Sequence, residues 1–380
     1  MQLSTLQDNL AKRLTMVSRV VAERSTLPVL SNILIATDQS RLKLAATNLE
    51  IGITCWIGAK VDEAGATTVP ARTFVDLINA LPPGTVDMRL AAQTQTLSVS
   101  GGRFANNIKG IAAQDFPIIP QLDEGHAAVW RIKPDVLRQM IDQVVFAAAS
   151  DVSRPILTGV LAKFSGRTLT LAAADGFRLA VRTAPLEDSA DEPLEVVVPA
   201  RTLVELARIT GEQADPIGIM VTPQRNQILF HLTNIDLVSQ LIDGKFPDYH
   251  AIIPQSATTK AMIDTQLMLK ACKAASVFAR EAANIARLTF VPGNELTPGH
   301  ITVGATSAET GDNAGDLDAA ISGTPLEIAF NVKYLIDVLS VIGSNQVSLE
   351  MTDAASPGVL RIVGEETFTH VIMPMHVGGR

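Results

Sequence analysis

Cysteine is nearly absent from the 380 residues: Cys55 and Cys272 lie far apart in mostly apolar surroundings. That count and spacing argue against a disulfide framework and against a Cys/His zinc site, and they suit a reducing compartment. Aromatics make up only 4%, with Trp56, Trp130, Tyr249 and Tyr334 beside the phenylalanines, so aliphatic side chains must fill the cores. No stretch of about 18 apolar residues could cross a membrane. The start, Met1-Gln-Leu-Ser-Thr-Leu-Gln-Asp8, carries neither the basic nor the apolar segment of an export signal, so a cytoplasmic, soluble protein is expected. Phosphate-binding glycine loops, the G-x-S-x-G elbow and H-E-x-x-H are all missing. His126, His231, His250, His300, His370 and His376 show no metal-ligand spacing, and Asp312, Asp316 and Asp318 lack the order of a calcium loop. No cofactor, metal or catalytic residue is expected.

What is present is a long-period repeat. Thr68-Val-Pro-Ala-Arg-Thr-Phe-Val-Asp-Leu77 is echoed by Val197-Val-Pro-Ala-Arg-Thr-Leu-Val-Glu-Leu206, and more weakly by Ala329-Phe-Asn-Val-Lys-Tyr-Leu-Ile-Asp-Val338. Leu27–Ile35 corresponds to Arg154–Ala162, and Arg41–Asn48 to Thr168–Asp175, both offset by 127. Asp115-Phe-Pro-Ile-Ile-Pro120 and Lys245-Phe-Pro-Asp-Tyr-His-Ala-Ile-Ile-Pro254 each close a copy, and His370-Val-Ile-Met-Pro-Met375 closes the third. Landmarks that recur in one order predict three tandem domains, 1–125, 126–254 and 255–380.

Within each copy the pattern reads helix, strands, helix, strands. Leu3, Leu6, Leu10, Leu14, Val17 and Val21 form one apolar stripe at steps of three and four, which predicts a first helix. Its counterparts carry Leu137, Ile141, Val144 and Ala148, then Leu267, Ala271, Ala275 and Phe278. The runs Arg41–Ile53 and Gln95–Val99 read as strands, and Pro70 and Pro199 are placed in the first turn of a second helix. The fold class is α+β, three copies of a two-helix, β-sheet domain.

The chain is net −8, which argues against a surface coated with nucleic acid. With the first helices taken as 1–24, 130–149 and 260–281, those segments together carry +5, while the second helices, 70–82, 199–212 and 330–340, each balance. Lys12 and Arg19 share a face away from Leu10 and Leu14. Positive charge on one class of helix suits non-specific attraction to phosphates; a solvated amphipathic face is the plainer reading, and both stay open.

Two local motifs stand out. Asp175-Gly176-Phe177-Arg178 sets an aromatic beside a guanidinium after a strand, as an ordinary Asp-Gly turn or as part of a site. Val371-Ile-Met-Pro-Met375 reads either as a final core strand or as the wall of a groove that accepts peptides.

Together, Thr26–Asn32, Thr68–Arg72, Asp115–Pro117, Ala174–Ala180, Phe246–Tyr249, Phe330–Tyr334 and Val371–Met375 resemble the bacterial β sliding clamps, the processivity subunits of the replicative DNA polymerase. The resemblance implies a DNA clamp fold and a head-to-tail homodimer, a six-domain ring that encircles duplex DNA without sequence preference and has no catalytic activity of its own. It implies a groove for Gln-x-x-Leu-Phe type motifs of the polymerase, the clamp loader, other polymerases and repair proteins. Carried over by position, the groove comprises Leu157, Ala174, Gly176, Phe177, Arg178, Leu179, Pro247, Ala251, Ile252, Asn331, Tyr334 and Ala355. The closing segment Val371, Ile372, Met373, Pro374, Met375 and His376 completes it. Phe177, Ala251 and His376 depart from residues common in the family. The resemblance also points to Arg24, Arg72, Ser150 and Arg154 as DNA contacts, to which the helix charges add Arg13, Arg19, Arg138, Lys270 and Lys273. For the dimer join it pairs Val277 and Phe278 with Ile108 and Phe104 of the other subunit, with Arg103 facing Glu309 or Asp312; Asn106 stands where an apolar residue is common.

Two other readings compete: a repeat-built carbohydrate- or nucleotide-active enzyme using Asp175 and Arg178, and an interaction protein with no DNA role.

Overall fold

A computed structural model describes residues 1–22, 25–121, 129–281 and 283–376. The first copy runs β1 (Gln2–Leu6), α1 (Gln7–Val17), β2 (Asn32–Asp38), β3 (Arg41–Thr47), β4 (Ile51–Gly58), β5 (Lys60–Glu63), β6 (Ala66–Pro70), α2 (Ala71–Ala80), β7 (Thr85–Ala91), β8 (Thr96–Gly101) and β9 (Phe104–Lys109). The second runs β10 (Val129–Ile132), α3 (Pro134–Val144), β11 (Gly159–Ala174), β12 (Arg178–Pro199), α4 (Ala200–Ile209), β13 (Ile217–Val221), β14 (Gln227–Leu232) and β15 (Ile235–Gln240). The third runs β16 (Thr259–Asp264), α5 (Thr265–Ala279), β17 (Ile285–Val291), β18 (His300–Ser307), β19 (Gly311–Asp318), β20 (Ala320–Gly323), β21 (Leu326–Asn331), α6 (Val332–Val341), β22 (Gln346–Met351), β23 (Gly358–Ile362) and β24 (Phe368–Ile372).

Each first helix is shorter than expected, because a strand precedes it. In β1 the buried residues alternate, Leu3 and Thr5 inward and Leu6 56% exposed, as the strand pairs antiparallel with β5 and β7. The three-residue step from Leu3 to Leu6 mimicked a helical stripe; only Leu10, Leu14 and Val17 form one, all fully buried. The charge excess shrinks accordingly. α1 keeps Lys12 and Arg13 against Asp8, α5 keeps Lys270 and Lys273 unopposed, and α3 is net acidic, with Arg138 3.9 Å from Asp142. Of the other described cations of the expected segments, Arg131 and Lys260 stand in β10 and β16, Arg19 in a 3-10 turn after α1, Lys133 between β10 and α3, and Arg280 at the C-cap of α5.

Two further expectations change locally. Arg41–Ile53 is not one strand but the β3–β4 hairpin, turned at Asn48, whose Oδ1 accepts the N–H of Glu50 (3.0 Å) and of Ile51 (2.8 Å) while Leu49 takes φ +75°. Pro70 is the extended N-cap of α2 (φ −55°, ψ 120°), one residue before the first turn, because it still pairs with Asn32 in the sheet. The third copy replaces that proline by Asn331, whose side chain accepts the Lys333 N–H at 3.0 Å and caps α6.

By internal contacts the chain divides into two units, 1–135 with 205–241 and 136–204 with 242–380, so the division runs through the second copy. In the first unit a five-stranded sheet has the order β5-β1-β7-β8-β9, and an eight-stranded sheet the order β10-β13-β14-β15-β4-β3-β2-β6. Here β15 of the second copy pairs with β4 of the first, Val238 opposite Gly52. Helix α1 packs on α2, β3 and β4, over fully buried Ile33, Ile35, Leu42, Leu44, Phe74 and Ile78.

In the second unit a seven-stranded sheet has the order β11-β12-β24-β23-β22-β16-β20, and a four-stranded sheet the order β19-β18-β17-β21. Here β24 of the third copy pairs with the start of β12 of the second, Leu179 opposite Val371. α5 and α6 pack together over Phe290, Phe330, Leu335, Val338 and Phe368. Among the described residues no helix is long and apolar enough to cross a membrane.

Candidate functional site

The residues expected to form the groove all fall in the second unit, several of them at the turn between β11 and β12. Asp175 Oδ1 accepts the N–H of Phe177 (2.9 Å) and of Arg178 (3.0 Å), and Gly176 takes φ +93°. The left-handed φ calls for glycine; the nearest atom to a Cβ there would be an Arg154 guanidinium nitrogen at 2.8 Å, the end of an exposed side chain that can move aside. The turn lifts Phe177 to 57% exposure. The Phe177 carbonyl then accepts the Met373 N–H at 2.8 Å, and Ala329 accepts the Met375 N–H at 2.8 Å, which ties the closing segment down as it leaves β24.

Both readings of that segment hold, for different residues. Val371 and Ile372 are core strand, each 1% exposed, whereas Met373 surfaces at 38% with Pro374 and Met375 half-buried and His376 exposed. Strand alternation separates the pair. Val371 joins Leu179, Ala174, Phe246 and Tyr249 in one apolar cluster edged by Leu157. Ile372 joins Phe330 and Phe368 in the opposite one, which turns it away from that face. Pro247, Ala251 and Ile252 are exposed beside the first cluster's Phe246 and Tyr249, and Ala355 is exposed in the turn between β22 and β23.

Arg178 is a brace rather than an open wall. Its guanidinium donates to Asp175 (3.0 Å), Asp337 (2.6 Å) and the Phe146 carbonyl (2.6 Å), and it lies 4.4 Å from the Tyr334 ring centre and 5.4 Å from that of Phe146. Burial, then the Asp175 carboxylate, pushes the Tyr334 hydroxyl up. Behind it, His370 is wholly buried with both ring nitrogens lacking a hydrogen-bond partner among the described residues; burial, then Arg178, pushes it down to about 3. Asp175 and Arg178 are thus committed to the turn and the brace, which removes the basis for the enzyme reading. Among the described residues no group of three or more His, Cys, Asp and Glu is placed to hold a metal.

The cations fall into two groups. In the first unit Lys12, Arg13 and Arg19 line a cavity of about 660 Å³ together with Arg208 from the last turn of α4, which sequence reasoning missed although a basic last turn suits a helix C-terminus. Arg72 is 96% exposed, 3.9 Å from Asp76. In the second unit Ser150, Arg154, Lys270 and Lys273 are exposed, and Arg138 is loosely paired as described. Arg154 therefore approaches the Gly176 turn, a placement that spacing could not reveal. Arg24, like His126, lies outside the described residues.

Of the residues expected at a dimer join, Phe104 and Ile108 lie on the edge strand β9, and Val277 and Phe278 on α5 beside the edge strand β19. Among the described residues, β9 and β19 each close one side of their sheets with no further strand. Phe104 is 57% exposed at the start of β9, while Ile108 is only 6% exposed and already packed within its own unit. Asn106 Nδ2 is buried and lacks an acceptor among the described residues. Val277 is 59% exposed on α5, and the half-buried Phe278 ring reaches to 3.9 Å from where a Cβ on Gly311 of β19 would stand. Asp312, Asp316 and Asp318 are exposed along β19.

Comparison with known proteins gives the family of the fold. Residues 1–120, 131–248 and 250–376 match, in turn, the DNA polymerase III beta subunit N-terminal, central and C-terminal domains. A β sliding clamp of Bacillus subtilis is 31% identical, with 99% of both chains covered, and one of Pseudomonas aeruginosa is 32% identical over 99% of this chain and 100% of its own. The crystal structure of the B. subtilis DNA polymerase sliding clamp superposes with a TM-score of 0.93 at 30% identity, covering 99% of each chain. That of the P. aeruginosa clamp gives 0.90 at 31%, covering 99% of this chain and 100% of the other. Three clamp domains in family order, on a matching fold from end to end, make this chain a member of the DNA polymerase III beta subunit family, the β sliding clamps, which serve that polymerase as non-catalytic processivity factors.

Proposed function

We propose that two copies of this chain join head to tail into a six-domain ring that encircles duplex DNA and tethers the replicative polymerase to it. One observation carries the ring: the pattern of strand pairing between copies. The outer strand of the first hairpin in copy one, β4, pairs with the last strand of copy two, β15. The equivalent strand of copy two, the start of β12, pairs with the last strand of copy three, β24. The two members left over are β19 of copy three and the last strand of copy one, β9, both sheet edges. A third joint of the same kind consumes both edges, and it must be made between chains. Such a heterologous contact closes only at the right rotation, which two chains of three equal copies supply. Charge favours the match, since Arg103 and Lys109 flank β9 while Asp312, Asp316 and Asp318 line β19. Phe104 on one side and Val277 and Phe278 on the other are the apolar part of the join, with Ile108, buried in its own unit, adding little surface to it.

The domain limits of the ring are 1–125, 126–254 and 255–380. Arg13, Arg19, Arg24, Arg72, Arg138, Ser150, Arg154, Lys270 and Lys273 are the DNA-facing residues, and phosphate contacts of this kind hold DNA without reading sequence. The groove around Phe177, Leu179, Ile252, Val371 and Met373 takes Gln-x-x-Leu-Phe type motifs of the polymerase, the clamp loader, other polymerases and repair proteins, its apolar clusters holding the Leu-Phe anchors. A cytoplasmic location follows from work on the chromosome of a bacterium.

Light scattering tests the ring. The wild type is expected at twice the chain mass and Phe278→Arg at the mass of one chain; an unchanged Phe278→Arg dimer overturns the joint. Fluorescence polarisation of a labelled Gln-x-x-Leu-Phe peptide tests the groove: micromolar binding is expected, lost on removal of residues 373–380, and no binding by the intact protein overturns the tether.

A further inference from the structure

The second copy contains four residues that the first lacks, and the gap they leave is a cavity. Phe116-Pro117-Ile118-Ile119-Pro120 and Phe246-Pro247-…-Ile252-Ile253-Pro254 match residue by residue except for the inserted Asp248-Tyr249-His250-Ala251. In the second unit the insertion forms a short 3-10 turn, Tyr249–Ile252, that drives the Tyr249 ring inward to 6% exposure, into the cluster built on Leu161 and Ala172. Asp248 caps that turn by accepting the His250 N–H at 3.1 Å. In the first unit the positions equivalent to Leu161, Ala172 and Val181 are Leu34, Ala45 and Thr54. With Phe116 and Ile119 they line an open cavity of about 460 Å³, within the ~300–1,000 Å³ of ordinary ligand sites.

Two features say what would fill it. The chain itself shows the occupant that equivalent walls accept in the second copy, an aromatic ring at the start of a short 3-10 turn. Lys43 is the one charged side chain among the described lining residues. It is half-buried, its ammonium 5.6 Å from the Trp56 ring centre, and its counterpart in the second copy is the uncharged Thr170. A cation at the wall of an apolar cavity selects a carboxylate next to the aromatic group. Ile118, 95% exposed, offers an apolar rim beside the mouth.

We propose that this cavity is a second docking point on each chain, for a partner protein's linear segment bearing Tyr or Phe beside an acidic residue. It is separate from the groove of the second unit and does not depend on that groove's ligand.

The test uses the full-length protein with isoleucine δ1-methyl labelling and the probe acetyl-Gly-Asp-Tyr-Ala-Ile-amide, followed by methyl NMR. The Ile118 and Ile119 methyls are expected to shift on titration. Replacing Tyr by Ala, or Asp by Lys, in the probe should weaken binding at least 10-fold, and Lys43→Glu should reverse the Asp-over-Lys preference. Ala45→Met, which fills the cavity, should abolish the shifts while leaving the remaining methyl spectrum in place. Removal of residues 373–380 should leave this binding unchanged, so that failure of the groove and failure of the cavity are read separately. Absent shifts at millimolar probe, equal binding of the Ala probe, or shifts confined to Ile252 would each overturn the proposal. So would shifts that appear with protein concentration alone, which would give the surface to a second copy.

Discussion

The guanidinium of Arg178 lies 4.4 Å from the centre of the Tyr334 ring while it donates to Asp337 at 2.6 Å, so one side chain on β12 grips two residues of α6. The same group holds Asp175 at the turn that presents Phe177. It therefore links the second copy's hairpin to the third copy's helix, and the shape of the proposed peptide face depends on it.

Arg178→Ala is expected to lower unfolding stability by about 2–4 kcal/mol, because it leaves the Asp175 and Asp337 carboxylates without their cation in a half-buried setting. Arg178→Lys keeps the charge but loses the planar fork and much of the stacking, and should recover less than half of the loss. Urea denaturation measures both. Two variants of equal stability would show that charge alone matters.

His370 makes stability depend on acidity. Its imidazole is held neutral when folded, down to about 3, but protonates near its ordinary 6.5 when unfolded. The unfolded state then binds the extra proton, so stability is full above pH 6.5 and falls by up to about 1.4 kcal/mol per pH unit below it. Denaturation at pH 7 and pH 5 should differ in the wild type, and His370→Leu should remove about one proton's worth of that slope. An unchanged slope would place the acid sensitivity elsewhere.

Both thiols should be silent in the folded protein. Burial pushes Cys55 and Cys272 up to about 12, so neither offers thiolate at neutral pH nor a path for reagent. Ellman's reagent should titrate no thiol in buffer and two in guanidinium chloride. Fast native labelling would mean that the α5 core, where Cys272 sits, opens readily.

Lys270→Glu with Lys273→Glu should weaken retention on duplex DNA and flatten its salt dependence, by roughly one unit of log–log slope for each phosphate no longer neutralised. Arg138→Glu should do less, since Asp142 already stands beside that residue. Association with closed circular DNA at several salt concentrations checks the ranking.

Much of this was legible in the residues because repetition multiplies weak signals. The Pro-Ala-Arg and Phe-Pro landmarks recur at matched offsets, so three domains and their second helices could be read at once, and Asp175 with Gly176 marked a turn that is indeed there. What escaped depended on partners distant in the chain. Leu3 and Leu6 fit a helical stripe until β7 claims that segment for a sheet. Val371 and Ile372 look alike in sequence, yet pairing with Leu179 and Arg178 sends them to opposite sides. Arg178 carries the composition of a surface ligand, but Phe146, 32 residues upstream, and Asp337, 159 residues downstream, make it internal. Arg208 joins Arg13 only because two copies share one sheet.

The unpaired edges β9 and β19 have a consequence in mixed populations. In the proposed ring each chain brings one of each, giving two seams, and a chain spoiled at β19 alone would still present a sound β9 to a healthy partner. Such chains would enter rings rather than being left out. If half the chains in a cell were spoiled in this way and mixed at random, about three quarters of the rings would carry at least one weak seam. A lesion on one strand would thus act dominantly, and its severity would track the ratio of the two forms rather than the amount of sound protein remaining.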